Sequence, residues 1–201
     1  MLRQCNCHRL EGHSQTRHGR RCNDPRLITN TEMTTPEMAN TEMTNSEKAT
    51  PELILPWDRP CPFTLNIIAE AHHIDRLGHV NNTHYVQWMQ TISWQHVETI
   101  GMGWAIQEQE SCAMAIMRTE LDYLASAYSE DRLIMGTWIT DSDNRLRSSR
   151  EFQLIRIDDK KTLLRATCRY ACIDLKKGKP ARMPEAFIKA HQFAIRQHSP
   201  H

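Results

Sequence analysis

Long apolar runs are missing from this chain. No stretch approaches the ~20 apolar residues that a membrane-spanning helix needs, and the N-terminus has no apolar core of a secretory signal. An excess of either charge is missing too: 25 basic against 24 acidic residues leave a formal net charge of +1. That balance gives no reason to expect nucleic acid or an anionic membrane as the main partner. The absence of a Gly-x-Ser-x-Gly elbow and of a Gly-rich phosphate loop counts against a serine hydrolase and a nucleotide-binding enzyme. Cysteine is present, but not in the form of a disulfide framework. Cys5, Cys7, Cys22, Cys61, Cys112, Cys168 and Cys172 are odd in number and scattered, in a 201-residue chain large enough to build a core without staples. Reduced thiols in the cytoplasm are expected. On one strand, Cys168 and Cys172 would stand about 13 Å apart, too far to bond.

Apolar residues make up 39% of the chain, and the deficit lies in the first fifty positions. Residues 1–28 are rich in Arg and His. Cys5, Cys7, His8, His13, His18 and Cys22 fit no standard zinc spacing, so no metal site is expected. The arginines lack the apolar stripe of a mitochondrial transit peptide. Asn30-Thr-Glu-Met-Thr recurs at Asn40 in a polar Thr/Glu/Asn tract, which cannot bury enough apolar surface to offset its ordering entropy. Residues 1–52 therefore read as a disordered polar extension, with Met33, Met38 and Met43 as alternative starts, and residues 53–201 as one domain.

Within that domain residues 63–74 alternate as a strand, and 83–100 repeat at helical spacing through Tyr85, Trp88, Met89, Ile92 and Ile100. Asn81 or Asn82 supplies an N-cap and Gly101 a stop. The period then changes to two over 112–124, 132–140, 146–157 and 163–175, and Pro184 opens a short C-terminal helix. The alternation of the last strand leaves one face wet, as in an antiparallel sheet. An α+β architecture follows, with a five-stranded antiparallel sheet wrapped around one long helix. An edge strand of such a sheet is a natural dimer contact.

The most unusual stretch, His72-His73-Ile74-Asp75-Arg76-Leu77-Gly78-His79-Val80-Asn81-Asn82-Thr83-His84-Tyr85, joins the first strand to the helix. It sets Asp75 before the unpaired N–H groups of a helix start, a natural place for a developing oxyanion. This segment resembles the hotdog acyl-CoA thioesterases, in particular the branch of the bacterial long-chain acyl-CoA thioesterase III. The pattern is an Asp, three residues, His-Val-Asn-Asn and an aromatic three positions on: Asp75, His79, Val80, Asn81, Asn82 and Tyr85. Cys172-Ile173-Asp174-Leu175-Lys176, Lys179 and Arg182-Met183-Pro184 add a second match.

The resemblance implies a hotdog fold, a homodimer or homotetramer, and active sites at the subunit interface. It implies hydrolysis of fatty acyl-CoA to free acid and coenzyme A, with no cofactor beyond the coenzyme A of the substrate. Asp75 is then the catalytic carboxylate, as nucleophile or general base. Gly78, His79, Asn81, Asn82 and Tyr85 are the candidate substrate-binding residues, with N–H groups between Gly78 and Asn82 holding the carbonyl oxygen. This chain has Gln87, Gln90 and Ser93 where relatives carry helix carboxylates and an Arg, so a second catalytic carboxylate is absent.

Blander readings stand beside these. Asp75 can close an Asx turn, His79 can be a packed structural histidine, and His72, His73, Asp75, His79 and His84 form no plausible metal site. Trp88, Trp94, Met89, Met114 and Met117 read as core, some of them lining an acyl channel. Arg147, Arg150, Lys179 and Arg182 are candidates for coenzyme A phosphates, against a solvated basic surface. An acyl-carrier-protein thioesterase and a non-catalytic acyl-thioester-binding module are the competing functions.

Overall fold

The computed structural model of the protein describes residues 54–198. The expectations for residues 1–52, including the Cys/His cluster and the Thr/Glu repeat, fall outside them.

Five strands form one antiparallel sheet in the order β1-β3-β4-β5-β2: β1 Phe63–Ile68, β2 Cys112–Tyr123, β3 Arg132–Ser142, β4 Arg147–Arg156 and β5 Thr162–Asp174. Strands β2 to β5 lie within two residues of the bounds read from the sequence. Strand β1 is shorter than its alternation predicts, because its partner runs out. Ile68 pairs with Arg132, the first residue of β3. The Ala69 N–H still donates to the Asp131 carbonyl at 3.0 Å. The chain then coils through a 3-10 turn, Ala71–His73, closed by the Glu70 N–H donating to His73 Nδ1 at 2.9 Å. His72 and His73 are therefore neighbours in one turn, with ring centroids 4.0 Å apart, instead of pointing to opposite faces of a strand.

Helix α1, Asn82–Thr99, runs across the concave face of the sheet. Asn81 is its cap, its Oδ1 accepting the Thr83 N–H at 2.9 Å, so Asn82 is the first helical residue and not the cap. Gly101, at φ +74°, ends the helix in the left-handed conformation open to glycine. Tyr85, Trp88, Met89 and Ile92 bury against Phe63, Leu133, Met135, Phe152, Leu154 and Leu164. Each fully buried side chain of this size contributes on the order of 1.5–3 kcal/mol. A short helix that the sequence pattern did not announce, α2 Trp104–Gln109, leads into β2. Helix α3, Glu185–His198, closes the far end of the same layer, where Val97, Met102, Cys172, Met183, Phe187 and Ala190 form a second cluster. Cys168 and Cys172 are both buried on β5 and form no disulfide. Among the described residues no helix is long and apolar enough to cross a membrane.

The convex face is not wholly wet. Residues 54–62 lie across it. Trp57 meets Trp138 edge-on at 5.8 Å, Trp138 Nε1 donates to the Pro60 carbonyl at 2.8 Å, and Gln153 Nε2 donates to the Pro56 carbonyl at 3.0 Å. Asp58 and Arg59 pair with Arg165 and Glu151. The Trp57 ring lies so close over Gly136 that a Cβ there would stand 2.7 Å from Trp57 Cζ3. Gly136→Ala is expected to lower the stability of the chain by about 1–3 kcal/mol, read as a lower urea midpoint at unchanged slope. In a Trp57→Ala background the same substitution is expected to cost much less. Equal costs in both backgrounds would mean that the ring does not constrain Gly136.

Candidate active site

Asp75 sits in the loop between β1 and α1, in a small hairpin fixed by its own backbone. Ile74 pairs with Val80, and the Asp75 N–H donates to the His79 carbonyl at 2.9 Å. Gly78, at φ +81°, donates to the Asp75 carbonyl at 3.1 Å and closes the turn in a conformation that glycine adopts without strain. Asp75 Oδ1 accepts the Leu77 N–H at 2.8 Å, an Asx turn. Oδ2 takes no hydrogen bond from the described residues. The side chain is 24% exposed, and His79 Nδ1 stands 3.8 Å from Oδ1. One carboxylate oxygen is thus anchored and the other open, so the turn and a chemical role are compatible.

The loop has spent several of its N–H groups. Those of Gly78, Val80 and Asn81 donate to the carbonyls of Asp75, Ala127 and His73. The N–H groups of His79 and Asn82 have no acceptor among the described residues, and that of Asn82 opens the first turn of α1, where the helix dipole favours negative charge. Tyr85 is buried, and its hydroxyl accepts the Ala127 N–H at 3.1 Å, tying α1 to the β2–β3 connection beside the loop. Among the described residues no cluster of three or more His, Cys, Asp or Glu side chains is arranged to hold a metal.

Along α1, one turn of helix beyond Asn82, a cavity of about 370 Å³ begins at Val86 and runs to Val97 between the helix and strands β2, β4 and β5. Met89, Trp94, Met114, Ile116 and Phe152 give it apolar walls, while Gln90, Ser93, Ser148, Tyr170 and Arg150 add polar groups. Asp75 does not line it. Gln90 and Ser93 stand on the cavity side of α1.

A family model described as the thioesterase-like superfamily matches residues 69–191. The chain belongs to this superfamily. No curated protein matches it. Among solved structures, the 1,4-dihydroxy-2-naphthoyl-CoA thioesterase of Synechocystis has 20% identity and a TM-score of 0.57, covering 66% of this chain and 94% of its own. A hypothetical protein of Staphylococcus aureus in complex with CoA has 15% identity and a TM-score of 0.64, covering 69% and 87%. A probable thioesterase of Escherichia coli, YbaW, has 20% identity and a TM-score of 0.58, covering 65% and 98%. At these identities the likeness speaks for the fold, which is the α+β hotdog.

This thioesterase-family domain holds a feature that residue type alone does not reveal. Of the four basic candidates, Arg147, Lys179 and Arg182 are exposed, whereas Arg150 is 4% exposed and faces the core. Its Nη1 donates to His96 Nδ1 at 2.9 Å and to Thr137 Oγ1 at 3.3 Å, and its guanidinium hydrogen-bonds Tyr170. Arg150 is neither a surface charge nor placed on the surface for a coenzyme phosphate. The signal was available: Arg150 shares its strand face with Phe152 and Leu154. His96 likewise follows Met89 and Ile92 on the buried stripe of α1.

Burial, together with Arg150, His198 and His191, holds the His96 pKa down to about 2. Burial also lowers His191 and His198, each against the opposing effect of a hydrogen bond to a backbone carbonyl. A histidine with a lowered folded pKa takes up its proton more readily when unfolded. Its contribution is fully present above the unfolded value of about 6.5 and is lost as pH falls toward the folded value. Between pH 7 and pH 5, His96 alone is expected to remove about 2 kcal/mol. Thermal unfolding midpoints across that range check this. His96→Gln should flatten the dependence, and an unchanged slope would remove His96 as its source.

Proposed function

We propose that this domain hydrolyses acyl-CoA thioesters to a free acid and coenzyme A, with Asp75 as the catalytic carboxylate. Family membership supports thioester hydrolysis as the reaction class. The observation that carries the assignment to Asp75 is its half-anchored carboxylate: Oδ1 is fixed by the Leu77 N–H while Oδ2 is open, beside a helix start with an unspent N–H. In this reading Oδ2 attacks the thioester carbonyl or takes a proton from a water that does. The Asn82 N–H, reinforced by the dipole of α1, receives the developing oxyanion. The His79 N–H is a second candidate donor. Gly78 and Asn81 shape the loop, and Tyr85 holds the helix against it.

Coenzyme A as the carrier is supported by the CoA complex of the Staphylococcus aureus neighbour. The exposed Arg147, Lys179 and Arg182 are available to its phosphates. A fatty acyl group suits the apolar walls of the cavity. The reaction needs no further cofactor or metal. Self-association as a homodimer or homotetramer completes the reading: β2 is an edge strand, and Val86, Trp94, Ile116 and Met117 leave apolar surface beside it. Unbridged thiols at Cys112, Cys168 and Cys172 suit a cytoplasmic setting.

Asp75→Asn keeps an oxygen for the Leu77 N–H and removes the charge. In the full chain it is expected to lower kcat/KM for acyl-CoA by about 100-fold or more with an unchanged unfolding midpoint, coenzyme A release being read by chromatography. Equal rates for both proteins would make Asp75 a turn residue only. An inactive parent that still binds acyl-CoA would favour the non-catalytic binding module.

A further inference from the structure

Arg150 is buried, and no carboxylate among the described residues pairs with it. Its partners among the described residues are all neutral. His96 accepts a hydrogen bond at Nδ1, which places its proton on Nε2, and Thr137 and Tyr170 offer hydroxyl oxygens. Tyr170 is in turn hydrogen-bonded to Ser93. His191 and His198 face the same group, their Nδ1 atoms bound to the carbonyls of Phe187 and Cys61. His198 Nε2 is buried without a partner among the described residues. A lone guanidinium in such surroundings is costly, and buried cations are normally paired with an acid or a bound anion.

The cavity supplies the room for one. Arg150 lines it together with Ser148, Ser149, Tyr170 and His191, and Met89 and Trp94 of α1 and Met114 and Ile116 of β2 add apolar surface. A volume of about 370 Å³ lies within the range of small-ligand sites. Its composition is that of a site for an amphiphile: apolar side chains from α1 and β2, and a single cation with hydroxyl groups on β4 and β5.

We propose that this cavity binds a carboxylate carried on an apolar chain, with Arg150 as its counter-ion. Two sources share that chemistry: a free carboxylic acid, or the distal carboxylate of an ω-carboxyacyl thioester. The second rests on the proposed thioesterase activity, and the first does not.

The test uses the full chain and Arg150→Met, which keeps bulk and removes charge. Decanoate and decan-1-ol are titrated against both, followed by Trp fluorescence, since Trp94 lines the cavity. The acid is expected to bind the parent at least about tenfold more tightly than the alcohol, and Arg150→Met to abolish that preference. Arg150→Lys should retain most of it, so the comparison stands even if the Met variant does not fold. Equal binding of acid and alcohol by the parent, no binding of either, or a preference that survives in Arg150→Met overturns the proposal.

The source is then read from hydrolysis of decanoyl-CoA and of the mono-CoA thioester of decanedioic acid. A preference for the ω-carboxylated thioester that Arg150→Met removes assigns the carboxylate to the acyl group. Decanoate binding without that preference assigns it to a free acid. If neither thioester is hydrolysed while decanoate still binds, the thioesterase reading fails and the Arg150 site stands.

Discussion

The concave face of the sheet has to be filled by α1, and most of the structure answers to that requirement. A five-stranded antiparallel sheet with one apolar face cannot stand alone, and Tyr85, Trp88, Met89 and Ile92 supply the matching stripe. The helix must therefore begin at the point where β1 delivers the chain. Pairing of β1 ends where β3 begins. The chain then has only the stretch to Asn81 in which to reverse and cap the helix. The 3-10 turn, the left-handed Gly78 and the Asx turn of Asp75 are the local solutions to that reversal. The proposed reactive carboxylate is thus a by-product of helix placement as much as a chemical device, and the Asn82 N–H is left unspent for the same reason, as the first residue of the helix.

The same packing explains why the domain carries a polar cluster inside. Helix α3 fills the end of the layer that α1 leaves open, and it brings His191 and His198 toward the His96 end of α1. Arg150 enters from the sheet side, from a position that alternation assigns to the interior. A core filled with hydrocarbon at this point would be at least as stable on general grounds. A cluster of neutral histidines around one cation makes sense where something else shares the space, and the adjoining cavity is where that space lies.

How much of this was legible in the chain follows from the range of the forces involved. Strands β2 to β5 and helix α1 were readable because period-two and period-3.6 patterns are imposed residue by residue. The loop was legible because Asp75, Gly78 and Asn81 act on backbone groups only a few residues away. The extent of β1 is not legible in its alternation because strand length depends on a partner 64 positions later, Ile68 on Arg132. The convex face seemed wet because the pattern could not show that residues 54–62 return across it. Arg150 defies its residue type, because the period of its strand places it inside whatever its charge.

The sequence by itself determined the α+β order of elements, the antiparallel sheet around one helix and the Asp75 turn at the helix start. Each of these is set by local periodicity and by short-range hydrogen bonds. Only the tertiary structure decided which N–H groups the loop leaves unspent, that Tyr85 serves the β2–β3 connection, and that Arg150, bonded to His96, lines a cavity that Asp75 does not. Those outcomes depend on contacts between residues far apart in the chain, and no local pattern carries their distances.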